Sequence, residues 1–500
     1  MVPFPATPAL KGFPMASPEH PPPEPYVPDS RPLAELVSPP LFRAADIRVM
    51  EARWQKSHPD TPLMARAAAA AAAWAGTLAH DTGAPVLVLA GPGNNGGDAL
   101  ATACLLAERG SRVIVVGAAD PARLPAEAAR AWDAWHARGG TVHPDLPPAQ
   151  RYSLVIDGLF GVGLQRDIDG AFARWIGQVN PMACPKLALD VPSGLDADSG
   201  RIRGCALRAD CTLSFLGLKP GLLTADGPDC VGELRLDTLG VDPSSLTAAP
   251  GIALTQLETR HRLPARARNS HKGLYGHLGI VGGAPGMVGA CLIAGRAALQ
   301  QGAGSVTLGL LDARIAVDYG EPRLMFGAPE ALVDARLDVL AIGPGLGRDA
   351  RAHALLEAAL AALCPLVLDA DALNLLADDA DLARRAAYRS HPALLTPHPG
   401  EAARLLGTRS ADIQANRVDA ACRLSTQYRA HVALKGAGTV IAHPDGRYAI
   451  NTSGGPWLAQ AGSGDRLAGM LAALLGQGMA ADAALEAAVW LHGQHTLPGV

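Results

Sequence analysis

Two fused α/β domains, each built on a largely parallel sheet, are the fold class this sequence predicts. Three observations predict it. The 500 residues exceed what one ordinary domain of roughly 100–150 residues holds. Short apolar runs alternate with helical patterns along most of the chain, as in βαβ units on a parallel sheet. The alternation pauses once, within Thr238–Thr255 in the stretch LGVDPSSLTAAPG, and then resumes. The expected division is a proline-rich tail over 1–40, a first domain over 41–245 and a second over 246–500.

The first 40 residues hold thirteen prolines, a composition that favours extended polyproline conformation and cannot bury a core. They are expected to be unstructured. An alanine-rich helical stretch runs from Leu41 to about His80. The strand Val86–Ala90, loop Gly91–Asp98, helix Ala99–Arg109 and strand Val113–Gly117 then form a β-loop-α-β unit. Strands at Leu154–Ile156, Leu187–Leu189 and Cys211–Phe215 each precede a Gly- or Pro-rich turn. The second run has strands Gly279–Val281, Ser305–Leu310, Val339–Ile342, Leu366–Leu368, Ala393–Leu395, Val432–Leu434 and Thr439–Ile441. Its last clear element is the helix Asp465–Gly476.

Composition excludes several classes. With 43 Lys+Arg against 47 Asp+Glu there is no basic surplus for a nucleic-acid or anionic-membrane partner. Aromatic residues, at 4%, leave few stacking platforms for single strands. The eight cysteines form no CxxC pair, so reduced thiols and a cytoplasmic setting are expected. No basic region followed by an apolar one marks a secretory signal, and no apolar run reaches the ~20 residues of a membrane span.

In an open parallel sheet, ligands bind beyond the carboxyl ends of the strands. Gly91, Gly93 and Gly96 of GPGNNGGD fit the dinucleotide fingerprint, with Asp120 near its acidic position. A tight strand-helix turn needing glycines fits equally. The amides Asn94 and Asn95 and the carboxylate of Asp98 point instead to a polar-ligand or ion site. DGLFGVG from Asp157 and DVPSGLDAD from Asp190 follow the next strands. Each Asp alone could tie a turn. Oxygen donors such as Asn95, Asp157 and Ser193 suit an alkali or alkaline-earth cation.

These motifs, in this order, resemble the NAD(P)H-hydrate epimerases over roughly 41–245. The resemblance implies a Rossmann-like domain that interconverts the R and S forms of hydrated NADH and NADPH. It implies potassium held by Asn95, Asp157 and Ser193. It also implies contacts to the hydrated nucleotide from Asn94, Asn95, Gly96, Gly97 and Asp98, from Gly161, Val162, Gly163, Leu164, Gln165, Arg166 and Asp167, and from Asp190, which is carried as catalytic. Ala99 stands where the family usually has glycine.

In the second half, Gly462-Ser-Gly-Asp465 opens a helix whose backbone N–H groups could converge on an anion. Asp465 could take a proton from an attacking hydroxyl, or simply cap the helix with Ser463. No Walker A sequence is present. GPGLG, LDADAL, TPHPGE, KGAGT and AGSGD together resemble the ADP-dependent NAD(P)H-hydrate dehydratases over about 255–495. That resemblance implies a ribokinase-like fold and conversion of the S-hydrate and ADP, with Mg²⁺, to NAD(P)H, AMP and phosphate. It places Asp465 as catalytic base and in contact with the hydrate beside Ala290, Gly345 and His398. Lys435, Gly436, Ala437, Gly438, Thr439 and Gly464 would hold the adenine nucleotide. Arg466, where an aliphatic residue is common, is expected to lower the Asp465 pKa.

The expectation is a bifunctional repair enzyme, a cytoplasmic homo-oligomer acting on hydrated NADH/NADPH and ADP, with neither nucleic acid nor membrane as partner. Its rivals are an ATP-dependent small-molecule kinase of ribokinase type and a non-catalytic binding scaffold.

Overall fold

The computed structural model describes residues 26–79, 83–148, 151–263 and 265–494. Two sheets dominate it. The first has eight strands in the order Arg31–Pro32, Glu233–Asp237, Cys211–Phe215, Lys186–Leu189, Leu154–Gly158, Val86–Ala90, Val113–Gly117, Val142–His143. All neighbours run parallel except Arg31–Pro32, which is antiparallel to its partner. Val86–Ala90 and Leu154–Gly158 are buried along their whole length, as strands covered on both faces require.

The second sheet has eleven strands. From the Met325–Gly327 edge, a parallel core passes through Ser305–Leu310, His277–Gly282, Val339–Ile342, Leu366–Leu368 and Ala393–Leu395 to His431–Leu434. Val440–Ala442 and Tyr448–Asn451 continue it as antiparallel turns of the chain. Gly251–Leu254 then pairs parallel with Tyr448–Asn451, and Pro40–Leu41 antiparallel with Gly251–Leu254.

Several elements differ from the sequence reading. The expected tail over 1–40 is structured from Tyr26, whose hydroxyl donates to Asp237 at 2.6 Å; residues 1–25 lie outside the described residues. Pro32 and Pro40 sit on edge strands, where a missing N–H costs no ladder bond. The expected linker contains the strand Gly251–Leu254. The alanine-rich stretch is two helices, Ala44–Ser57 and Leu63–Leu78, with Pro62 at the N-cap of the second. A further helix, Ala481–Gln494, follows Ser463–Gly476. The helix of the first loop begins at Asn94 instead of Ala99, so the two asparagines form its opening turn.

The halves are not separate bodies. One cluster of buried side chains joins Leu41, Leu195, Leu222 and Leu223 of the first half to Leu346, Leu434 and Val440 of the second. No helix among the described residues is long and apolar enough to cross a membrane.

Candidate active sites

The first site lies at the carboxyl ends of Val86–Ala90, Leu154–Gly158 and Lys186–Leu189. Its glycines are there for space: a Cβ on Gly91 would collide with the Leu159 carbonyl, and one on Gly96 with the carbonyl of Gly91. The loop therefore presses the start of helix Asn94–Glu108 against the next strand. Ala99 is fully buried, and its methyl group occupies the room that Gly158 leaves by lacking a side chain.

Asp157, the last residue but one of its strand, carries a carboxylate that is 0% exposed. It accepts from Ser193 N at 2.8 Å, Ser193 Oγ at 2.6 Å and Leu159 N at 3.2 Å. Burial raises its pKa, and these donors oppose the shift; no cationic side chain of the described residues offsets it. Asn95 is buried with both its amide oxygen and its amide nitrogen unpaired. A buried amide without partners is costly unless a ligand satisfies it.

Asp190 adopts φ of +65°, uncommon for a residue with a side chain. It is bonded to the wholly buried ammonium of Lys219, which also donates to Ser214 Oγ at 3.1 Å and Phe215 O at 2.8 Å. Gly161 brings Asn95 and Asp190 together, because a Cβ there would stand 3.4 Å from the Asn95 amide carbon and 3.3 Å from Asp190 Oδ2. Asp98 faces the same space. Burial pushes its carboxyl well above the usual range, and Asp190, Glu51 and Glu127 add to the shift. Glu51, from the helix Ala44–Ser57, is pushed up to about 7 by burial and then by Asp190, against the pull of Lys219. Sequence reasoning misses Lys219 and Glu51, since nothing local marks either. Val162, Gly163, Leu164, Gln165, Arg166 and Asp167 form the partly exposed rim beyond Gly161. Asp120, the fingerprint's acidic candidate, instead caps a short exposed turn through Ala122 N. Asp120 therefore serves a local turn and does not act as the acidic residue of the dinucleotide fingerprint.

The second site gathers around the start of helix Ser463–Gly476. Gly462 precedes it in the left-handed region at φ +84°. Gly464 leaves room for Lys435, whose Nζ would lie 3.1 Å from a Cβ at that position. Lys435 Nζ donates to Asp369 Oδ1 at 2.8 Å, and Thr396 Oγ1 donates to the same oxygen at 2.8 Å. Burial works against the Lys435 charge, yet Asp369, Glu401 and Asp465 together raise its pKa.

Asp465 is pushed up to about 6, first by burial and then by Asp369, with Lys435 opposing and Asp371 adding. Against the lowering expected from Arg466, the net shift is upward, because burial and the neighbouring carboxylates prevail.

Asp369 and Asp371 flank Ala370, which has φ +50° and ψ −116°. The strained turn, a cost of order 1–3 kcal/mol, sends Asp369 towards Lys435 and Asp371 towards Gly347 N at 2.9 Å. Gly345 lies against Met287, and Ala290 opens the helix Val288–Gln300 that packs on Ser463–Gly476. A cavity of about 430 Å³ lined by Gly286, Val288, Gly289, Asp312, Arg314 and Ile315 lies at that helix end.

His398 has a structural role, because its Nδ1 accepts from Gly400 N at 3.0 Å and Glu401 N at 3.3 Å and so caps the helix Pro399–Leu405. Its side chain remains 51% exposed, so the ring still offers a face to a ligand. Burial, Lys435 and Arg404 lower its pKa.

Two family models match these regions: "YjeF-related protein N-terminus" over residues 60–221 and "NAD(P)H-hydrate dehydratase" over 278–497. A bifunctional NAD(P)H-hydrate repair enzyme of Moorella thermoacetica is 39% identical over 440 residues, 82% of each chain. This chain belongs to the bifunctional NAD(P)H-hydrate repair enzyme family. Relatives carrying that name in Escherichia coli (39% over 419 residues, 81% of this chain and 79% of theirs) and Leishmania infantum (38% over 438 residues, 79% and 77%) agree. Among solved structures, an ADP/ATP-dependent NAD(P)H-hydrate dehydratase from Bacillus subtilis, co-crystallised with ATP/Mg²⁺, is 33% identical. It covers 47% of this chain and 84% of its own, at a TM-score of 0.41. In repair-enzyme terms the first site is the epimerase half and the second the dehydratase half.

Proposed function

We propose that this chain repairs hydrated NADH and NADPH in the cytoplasm, epimerising the R and S hydrates in the first site and dehydrating S in the second with ADP. One observation carries the reading: both polar constellations are intact in one chain whose named repair-enzyme relatives match it over four-fifths of its length. The kinase alternative leaves the first site with nothing to do. The scaffold alternative leaves unexplained a buried carboxylate, a buried unpaired amide and the Asp190–Lys219 pair maintained together.

In the dehydratase site, Asp465 accepts the proton of the hydrate hydroxyl as its oxygen attacks the β-phosphorus of ADP, and AMP leaves. A hydroxyl is a poor leaving group, whereas the phosphate ester is a good one. The carbon–oxygen bond then breaks, phosphate departs and the adjacent ring carbon loses a proton as the double bond re-forms. Backbone N–H groups at Gly462–Gly464 and the ammonium of Lys435 stabilise the charge on the transferring group, an effect of about 10²–10³ in rate for one well-aimed donor. Asp369 and Asp465, opposed by the single cation Lys435, leave a surplus of negative charge that would favour the Mg²⁺ carried in by ADP.

In the epimerase site, Asn95, Asp157 and Ser193 fit potassium. The amide oxygen of Asn95 is orphaned, and the buried Asp157 carboxylate has no cationic partner among the described residues. Bound there, potassium would supply a fixed positive charge near the substrate. Asp190, anchored by Lys219, is the proton-transfer group that faces Asn95 across Gly161.

The test is the near-ultraviolet absorbance of mixed NADH hydrates with protein, Mg²⁺, K⁺ and ADP added in turn. Full ADP-dependent recovery of the reduced-nicotinamide band is expected, because the R form must be epimerised first. Recovery that stops at the S fraction would remove the epimerase, and none at all would return the scaffold reading. The expected homo-oligomer is checked separately by light scattering.

A further inference from the structure

The Lys435–Thr439 loop is held from behind by the other half of the chain. Thr224 is 0% exposed, and its hydroxyl proton is shared between the carbonyls of Ala437 at 3.1 Å and Gly438 at 3.0 Å. The backbone N–H of Ala225 also donates to Ala437 O at 3.3 Å. The same hydroxyl oxygen accepts from Arg417 Nε at 2.9 Å. Arg417 is 1% exposed and donates through Nη2 to the carbonyls of Leu434 at 3.1 Å and Lys435 at 3.2 Å. Its Nη1 donates to Gln414 Oε1 at 2.8 Å, and no carboxylate of the described residues pairs with it. Gly438, at φ +57°, lets the loop lie on the Leu223 carbonyl, with which a Cβ would collide.

Carbonyls of the loop and of its approach are thus fixed by one arginine and one threonine. The arginine belongs to the dehydratase half and the threonine to the epimerase half. The side chain of Lys435 itself donates to Asp369.

We propose that Thr224, from the epimerase half, is a positioning residue for the adenine-nucleotide loop of the dehydratase half, acting through Arg417. The proposal rests on the reading that Lys435–Thr439 binds ADP. A hydroxyl has one proton and two lone pairs, so Thr224 can serve the loop and the guanidinium together. Removing it leaves Arg417 Nε and the Ala437 and Gly438 carbonyls short of a partner in a buried place. The loop would then lose its fixed shape and ADP its preformed site, while Asp465 and the epimerase site, which Thr224 does not touch, keep their geometry.

The full chain is compared with Thr224→Val, which keeps the volume and removes the hydroxyl, and Thr224→Ser, which restores it. ADP binding is measured directly by titration calorimetry, with KM for ADP and for the S-hydrate from the absorbance assay. Thr224→Val is expected to weaken ADP binding about five- to thirty-fold, the range for a lost buried hydrogen bond. KM for ADP should rise in parallel, KM for the hydrate should stay within about two-fold, and Thr224→Ser should recover most of the loss. Unchanged ADP affinity in Thr224→Val, an equal rise in both KM values, or no recovery in Thr224→Ser overturns the proposal and leaves the dehydratase reading standing. Should the unaltered chain bind no ADP, the nucleotide assignment of the loop fails and the proposal with it.

Discussion

The two sites treat buried charge in opposite ways. In the dehydratase half, Asp465 sits among carboxylates with Lys435 in reach, so like charges are offset by an opposing one. In the epimerase half, Asp157 is satisfied by N–H and O–H donors alone, and Asn95 is left without partners. The first arrangement raises the pKa of Asp465, the proposed base, with protein atoms alone. The second presents a buried carboxylate and an orphaned amide oxygen that a cation would satisfy together. On the proposed function the difference has a chemical reason: phosphoryl transfer would bring its own metal and anion, whereas the isomerisation would draw its fixed charge from a bound cation.

The largest expected effect separates the halves outright. Asp465→Ala should reduce ADP-dependent recovery of reduced nicotinamide by at least about 10³-fold, near the upper range for a general base. Epimerisation, followed by chromatography of the two hydrates, should remain. Loss of both activities would break the comparison by showing that the sites are not chemically independent.

Next comes potassium. Asp157→Asn should abolish the K⁺ response of epimerisation while dehydration of pure S-hydrate keeps its rate. A salt response identical to that of the unaltered chain would defeat the assignment of the cation to Asp157.

The tuning of Asp465 gives a smaller and more discriminating effect. Its pKa is pushed up to about 6, so kcat/KM for dehydration should fall below about pH 6 as the base becomes protonated. Asp369→Asn removes a like charge and frees Lys435 to act on Asp465. Both changes favour the carboxylate, so the acid limb should move to lower pH. Lys435→Met should move it to higher pH. Shifts of the opposite sign would mean that another group carries the limb.

What is legible in the sequence follows from range. Val113–Gly117, Ser305–Leu310 and Ala393–Leu395 match end for end, because a buried parallel strand is a continuous apolar run bounded by turns. The edge strands Arg31–Pro32 and Pro40–Leu41 are not legible, since nothing but their distant partners makes them strands. Asp369 lies in the LDADAL motif, yet its role is hidden there because its partners Lys435 and Thr396 are 66 and 27 residues away. Lys219 escapes for the same reason, 29 residues from Asp190. Glycine-flanked acids announce a strand end; only folding says which cation meets them.

A buried cluster away from both sites shows what full pairing does for stability. Glu486 accepts from His261 at 2.7 Å and His443 at 3.0 Å, and Arg260 lies 2.7 Å away, tying the start of the second half to its final helix. Burial works against its charge, but these partners lower its pKa to about 2. A depressed carboxylate contributes stability above its unfolded pKa of about 4.3 and loses it as pH falls through the folded value. Thermal stability should therefore decline between about pH 4.5 and 2. Glu486→Gln should cost about 3–5 kcal/mol at neutral pH, the range for breaking a buried pair, and flatten that decline. At the small end, Ala99→Gly should cost about 1 kcal/mol of helix propensity and leave epimerisation unchanged, because Gly158 already makes room for the methyl group. A faster epimerase in Ala99→Gly would mean that the methyl reaches the substrate, and the boundary of the first site would have to be redrawn to include it.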